Sequence, residues 1–335
     1  MPANAFALPT LVLATILVAS PGAIMAQSSK SIGSIERLSP EFDKLIGRDS
    51  KLEVLASGFT WTEGPCWIGG KDGHLLFSDI PRNSIFKWEQ DGTVSLFMSP
   101  SGYTGVTYYG LEPGSNGLFK NKAGHLTMCE HGDRRVSTLT PDGGKMTIAD
   151  RHNGKRFNSP NDGVCMSNGD IYFTDPPYGL PERFTDPRRE IPYCGVYRVA
   201  TDGTVTLLTE SIERPNGIAF SPDEKTLYVA QSNPSEANWT AFPVQADGTL
   251  GDGKVIHDAT QRVANEPGLP DGMTVDSQGI LWATGPGGVY VMKSDGTLIG
   301  RLLTGERTSN CTFGPDGYLY ITADTYLLRI KTNAQ

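Results

Sequence analysis

The chain has 335 residues, with 29 Lys and Arg against 37 Asp and Glu and a net charge of −8, so it lacks the cationic face that binding to nucleic-acid phosphates requires. Hydrophobic residues make up 38%, and 39 Gly with 23 Pro indicate a turn-rich packed protein and exclude disorder, collagen and coiled coil. At about 150 residues per domain the length fits two domains, or one long all-β propeller or barrel.

The first feature along the chain is an uncharged apolar run from Thr10 to Ala19, followed by Pro21-Gly22 and the small-residue stretch Ala23-Ile24-Met25-Ala26. Ten apolar residues are too few to anchor a helix across ~30 Å of hydrocarbon. Residues 1–26 therefore read as a secretory signal peptide cleaved near Ala26, which implies an exported protein, periplasmic or secreted, with no membrane attachment after cleavage. Five cysteines (Cys66, Cys129, Cys165, Cys194 and Cys311) are scattered without a CxxC pair. That pattern favours buried thiols over a disulfide scaffold or a thiolate zinc site.

After residue 50 the chain repeats. Apolar strands begin at Leu75, Leu126, Ile171, Leu227, Leu281 and Leu319, spaced 51, 45, 56, 54 and 38 residues apart. Each leads to a second β-like run such as SIFKWEQ or GVYVMK, and Asp-Gly turns (Asp91-Gly92, Asp142-Gly143, Asp202-Gly203, Asp247-Gly248, Asp295-Gly296) introduce a further strand. Four strands at this period are the pattern of a propeller blade, and six units predict an all-β, six-bladed β-propeller with four-stranded antiparallel blades. The sixth unit lacks an outer strand after Lys331, whereas the run KLEVLASGF at 51–59 has no partner. Pairing the two closes the ring and removes its free edge. Residues 27–50 are then an N-terminal arm and 51–333 the propeller.

Counting back ten to twelve positions from each strand gives Glu63, Asn116, Asn161, Asn216, Asp271 and Ser309 beside Asn310. Inner strands of all blades line one axis, so these oxygen-bearing side chains should meet there. Glycine follows most of them and proline precedes several, which suits a crowded backbone at the axis. Two carboxylates among amides make a hard-oxygen cage suited to Ca²⁺, or to Mg²⁺ or Mn²⁺; a hydrogen-bonded polar pore is the alternative that spacing alone leaves open.

The stretches GFTWTEGPCW, CEHGDRRV, RFNSPNDGV, DIYFTDPPYG, RPNGIAFSPDEKTLYVAQS and GLPDGMTVDSQGILW together resemble the SMP-30/gluconolactonase/LRE family of six-bladed propellers, across essentially the whole chain after the signal. The resemblance implies that Glu63, Asn161, Asn216 and Asp271 hold one divalent cation, most readily Ca²⁺ with Mg²⁺, Mn²⁺ or Zn²⁺ as alternatives. It also implies that Asp271 accepts and donates protons. Some members place a substrate-contacting arginine two residues before Asn161; here that place is Ser159, and the nearest arginine is Arg156. His131, at the end of a strand, is a candidate sugar-hydroxyl contact, and Asp175 a candidate for shaping the mouth. With Asn116, Arg156 and Asn158 they make up the expected substrate side. The connections Ser101 to Ser115 and Leu180 to Cys194 are long enough to cover a pocket.

The implied reaction is cation-dependent hydrolysis of a sugar lactone, glucono-1,5-lactone to gluconate, with the cation polarising the carbonyl. No GxSxG elbow is present, which argues against a covalent acyl-enzyme. The competing readings are an aryl-ester or phosphotriester hydrolase on the same cage, and a propeller that only binds.

Overall fold

The computed structural model describes residues 30–334; the signal segment and its cleavage site lie outside the described residues. Six small antiparallel sheets follow one another around an axis. Blade 1 runs Thr62–Ile68, His74–Asp79, Ser84–Trp88 and Val94–Met98 from the axis outward. Blade 2 begins at Ser115–Lys120, blade 3 at Gly163–Cys165, blade 4 at Pro215–Phe220, blade 5 at Met273–Val275 and blade 6 at Thr308–Phe313. The chain forms a six-bladed propeller.

Blade 6 receives its outer strand from the start of the domain. Leu52–Ser57 pairs antiparallel with Tyr326–Lys331, the last strand of the chain, so the predicted closure is present. The segment before it ties two blades together. Ser31–Ile32 adds a fifth strand beyond Leu52–Ser57, and Ser34–Arg37 adds a fifth strand to Leu298–Leu303 of blade 5. Phe42, Leu45 and Ile46 then bury themselves against blades 5 and 6.

The cores lie between blades. Successive side chains of a strand point to opposite faces, and here both faces meet a neighbouring blade. Leu75 and Phe77 of blade 1 pack toward blade 6 with Tyr320 and Leu327, while Leu76 packs toward blade 2 with Leu118 and Met128. Trp282 faces blade 6, and its neighbours Leu281 and Ala283 face blade 4. Hence the strands read as continuous apolar runs rather than alternating ones. All five cysteines are free thiols, four of them buried.

Around the axis the blades are stapled by one repeated hydrogen bond. Ser78 Oγ donates to Asn116 O (2.9 Å), Gly117 N to Asn161 O (2.8 Å) and Thr174 Oγ1 to Asn216 O (2.8 Å). Ser232 Oγ donates to Pro270 O, Thr284 Oγ1 to Ser309 O (2.9 Å) and Ser309 Oγ to Thr62 O (2.7 Å). The ring is therefore continuous through all six interfaces. Each staple gives a hydrogen bond to a carbonyl beside the axis.

Candidate active site at the propeller axis

In four of the six blades the inner strand breaks its ladder where its polar residue sits. The pairing register slips by one residue between Glu63 and Cys66, between Ser115 and Leu118, between Pro215 and Ile218, and between Thr308 and Asn310. A bulge of this kind bends the strand and re-aims a side chain. In blades 3 and 5 the polar residue lies just ahead of the regular strand, fixed by Asn161 N donating to Thr174 O and Asp271 N to Thr284 O. Close approach of the backbones does the rest. A Cβ at Gly217 would lie 2.1 Å from Asp271 O, and one at Gly272 would lie 1.9 Å from the Asn310 side chain, so only glycine fits there.

The result is a cavity of about 630 Å³ whose lining includes Glu63, Asn116, Asn161, Asn216 and Asp271. Five of the six residues matched by spacing thus converge. The sixth does not: Ser309 is spent on the staple to Thr62, and Thr308 lines the cavity in its place. Asn310 and Asp162 face the other end of the axis, where the Asn310 amide opposes, without outweighing, the effect of burial on Glu63 and Asp162.

The floor is acidic, and among the described residues no cationic side chain pairs with Glu63, Asp162 or Asp271. Burial pushes the Glu63 carboxyl up to about 8, with the charge of Asp162 adding to it. Burial also drives Asp271 well above the ordinary carboxylate range, followed by repulsion from Glu63 and Asp162. Asp162 is raised to about 7, again by burial. Asn216 donates through Nδ2 to Ser232 Oγ (3.0 Å), while its Oδ1 is buried with no hydrogen-bond partner. A buried acceptor without a donor is costly. Two carboxyls and an unsatisfied amide oxygen around one point are what a hard cation satisfies, and the donor set fits Ca²⁺, Mg²⁺ or Mn²⁺ better than Zn²⁺. Among the described residues no cluster of three or more His, Cys, Asp and Glu could hold a metal; two of the four expected ligands, Asn161 and Asn216, are amides, which such a cluster does not count.

The remaining expected residues divide. Asn116 is at the cavity, and His131 lies behind it, fully buried, with Nε2 3.3 Å from Asn116 Nδ2 and Nδ1 3.7 Å from Glu112 Oε2. Burial lowers the His131 pKa to about 3, so the ring is neutral and buttresses the amide. Asn158 and Asp175 do not line the cavity. They brace a turn, Asp175 accepting from Asn158 N and Ser159 N at 2.8 Å each, and Asn158 Nδ2 donating to Asp175 O and Tyr193 O. Arg156 also lies elsewhere: it lines a neighbouring crevice with Tyr109, Arg134 and Arg188, where Nη2 donates to Asp133 O (2.7 Å).

Several wall residues escaped the spacing argument. Position two before each blade's polar residue forms a second tier, and four of its six members, Trp61, Arg214, Leu269 and Arg307, line the cavity. The two long connections supply Glu112 and Arg183, paired at 3.1 Å, and Tyr178 stands just ahead of the second. Tyr178 is close enough to bond Ser232 and to feel Asp271, and burial raises its pKa, keeping its hydroxyl a donor. Stacking the six repeats by their polar residue would have exposed the second tier; the loop residues carry no comparable signal.

Comparison with known proteins decides the family. The SMP-30/gluconolactonase/LRE-like region model matches residues 61–325. The chain belongs to this family. Among its relatives, a gluconolactonase of Zymomonas mobilis is 37% identical over 95% of this chain and 92% of its own length. A pentonolactonase of Haloferax volcanii is 30% identical over 55% of this chain and 65% of its own length. A solved gluconolactonase structure from Xanthomonas campestris superposes with a TM-score of 0.79 at 32% identity, covering 92% of this chain and 99% of that one. The matched region takes in all six inner strands and Glu63, Asn161, Asn216 and Asp271.

Proposed function

We propose that this member of the family is a lactonase that opens sugar lactones such as D-glucono-1,5-lactone to the corresponding acids, using one divalent cation held by Glu63, Asn161, Asn216 and Asp271. The observation that carries the reading is the convergence of these side chains on one cavity, with the Asn216 oxygen buried and unpaired. The names of the Zymomonas, Xanthomonas and Haloferax relatives support the substrate class.

When bound, the cation supplies Lewis-acid polarisation of the lactone carbonyl and stabilises the charge that develops on its oxygen. Asp271 takes the proton of the attacking water at a carboxylate oxygen. It returns that proton to the ring oxygen as the acyl C–O bond breaks, so lactone plus water gives the hydroxy acid with no covalent enzyme intermediate. Asn116, held by His131, and Tyr178, held near Ser232, offer hydrogen bonds to the sugar hydroxyls. We further propose, from the leader-like sequence before Gln27, that the enzyme works outside the cytoplasm; the N-terminal sequence of the mature protein should begin near Gln27.

The test is a side-by-side assay of glucono-1,5-lactone, an aromatic lactone and a phosphotriester by acid release. Fastest turnover of the sugar lactone is the expected result. Faster turnover of the phosphotriester or aryl substrate selects the other hydrolase reading, and no turnover of any selects a binding propeller.

A further inference from the structure

The second tier gives the cavity a charge that the reaction itself does not require. Three of the ionisable residues on its wall cancel or are cancelled nearby. Glu112 pairs with Arg183 at 3.1 Å. Glu266 is held by Arg301 at 2.5 Å and by Arg262 at 3.2 Å. Arg214 and Arg307 are left over. Arg307 is exposed and has no ion pair or side-chain hydrogen bond among the described residues, and it lines the cavity two positions before Ser309. Arg214 lines it two positions before Asn216. Among the described residues its one carboxylate partner, the exposed Glu213, stays at 3.8 Å, beyond hydrogen-bond reach, and itself accepts from Asn233. Arg214 Nε is buried without a partner, and its guanidinium rests over the Phe184 ring at 4.8 Å. These two arginines enter from blades 4 and 6, on either side of the blade that carries Asp271.

Two uncompensated guanidiniums above the cage, on a chain of net charge −8, are a local inversion of sign. Guanidinium forks bind carboxylate and phosphate groups in preference to hydroxyls, and a concave wall concentrates their field. We infer that Arg214 and Arg307 select lactones bearing an anionic group at the end remote from the ring ester, a terminal carboxylate or a phosphate, over neutral aldonolactones. This inference rests on the lactonase reading and narrows its substrate class. The ring ester sits at the cage while the anionic end reaches the second tier.

The test compares kcat/KM for glucono-1,5-lactone, a glucarolactone and 6-phosphogluconolactone, in the wild type and in Arg214→Gln and Arg307→Gln, with the cation present. The expected result is an anionic-over-neutral ratio of tenfold or more in the wild type, falling at least tenfold in each variant and falling with added salt. The larger ratio between the glucarolactone and the phosphate ester identifies which anion is preferred. A binding readout independent of turnover is calorimetry of the open products, with glucarate expected to bind more tightly than gluconate and to lose that advantage in Arg214→Gln. Turnover of all three lactones at similar rates, with both variants lowering them alike, overturns the anion preference and leaves the lactonase reading standing. No turnover of any lactone removes both.

Discussion

Titrating a metal-free preparation with Ca²⁺ at pH 7 should release about one proton per ion from Glu63, and more to the extent that Asp271 is protonated, because the ligands of an oxygen cage must ionise to bind. The number follows from the floor of the cavity. Burial holds Glu63 near 8 and Asp271 well above its usual range, and a group one unit below its pKa is roughly nine-tenths protonated. Glu63 in the empty cage is therefore mostly protonated at neutral pH, and Asp271 is shifted the same way. At pH 9 the release should shrink, since Glu63 is by then ionised before the cation arrives. The sign for stability is fixed by the same shifts. Both folded pKa values lie above the unfolded ones, so the empty protein keeps their full contribution below about pH 4.5 and loses it as pH rises through about 8. A bound cation should abolish that slope and, at a hundredfold over its Kd, add about 2.7 kcal/mol, roughly 5 °C in Tm for a chain of this size. The assay is calorimetry in buffers of different ionisation enthalpy at pH 6, 7 and 9, with thermal melts in parallel. Tight binding whose heat does not depend on the buffer would refute the reasoning, for it would mean that the carboxyls are already charged in the empty cage.

Other expectations follow from single residues. Asp271→Asn should lower kcat by about 10²–10⁴ while the far-ultraviolet spectrum and cooperative melt persist, since a positioned acid–base group contributes on that scale; a variant with more than a tenth of the wild-type rate counts against the proton role. Asn216→Asp should raise cation affinity by adding charge at the unpaired Oδ1 position, and should make the empty protein less stable than wild type above pH 5 by urea melts. Gly217→Ala places a methyl 2.1 Å from Asp271 O; it should cost about 1–3 kcal/mol of stability and weaken cation binding, and a silent substitution would show that the axis is looser than described.

Much of the fold was legible because a propeller repeats itself. The Gly or Asp turns, the apolar strands between His74 and Asp79 or Ile171 and Asp175, and the unpaired run at 51–59 each recur or find a partner at a fixed offset. The closure by Leu52–Ser57 followed from counting strands. The five convergent polar residues were readable for the same reason, as one position sampled five times. Ser309 misled because its hydroxyl is the staple to Thr62, and a sequence does not distinguish a hydroxyl that lines a cavity from one that closes a ring. Arg156, Asn158 and Asp175 are near the axis in sequence but are taken up by backbone groups of neighbouring segments, Arg156 by Asp133 O and Asp175 by the Asn158 and Ser159 amides. Glu112 and Arg183 reach the cavity from irregular loops, where no period reports which way a side chain points. The polar bulges themselves are invisible in sequence beyond the glycine that follows Glu63, Asn116 and Asn216.

The account depends on the four cage residues gathering a single ion that turnover requires. The most direct measurement is the rate of glucono-1,5-lactone hydrolysis by protein stripped with chelator, verified metal-free by elemental analysis, and titrated with Ca²⁺, Mn²⁺ and Mg²⁺. The predicted result is a rate at the uncatalysed background for the stripped protein, rising to saturation at one equivalent of the preferred ion, with no such recovery in a Glu63→Gln, Asp271→Asn double variant. Full activity in the stripped wild type would contradict the account.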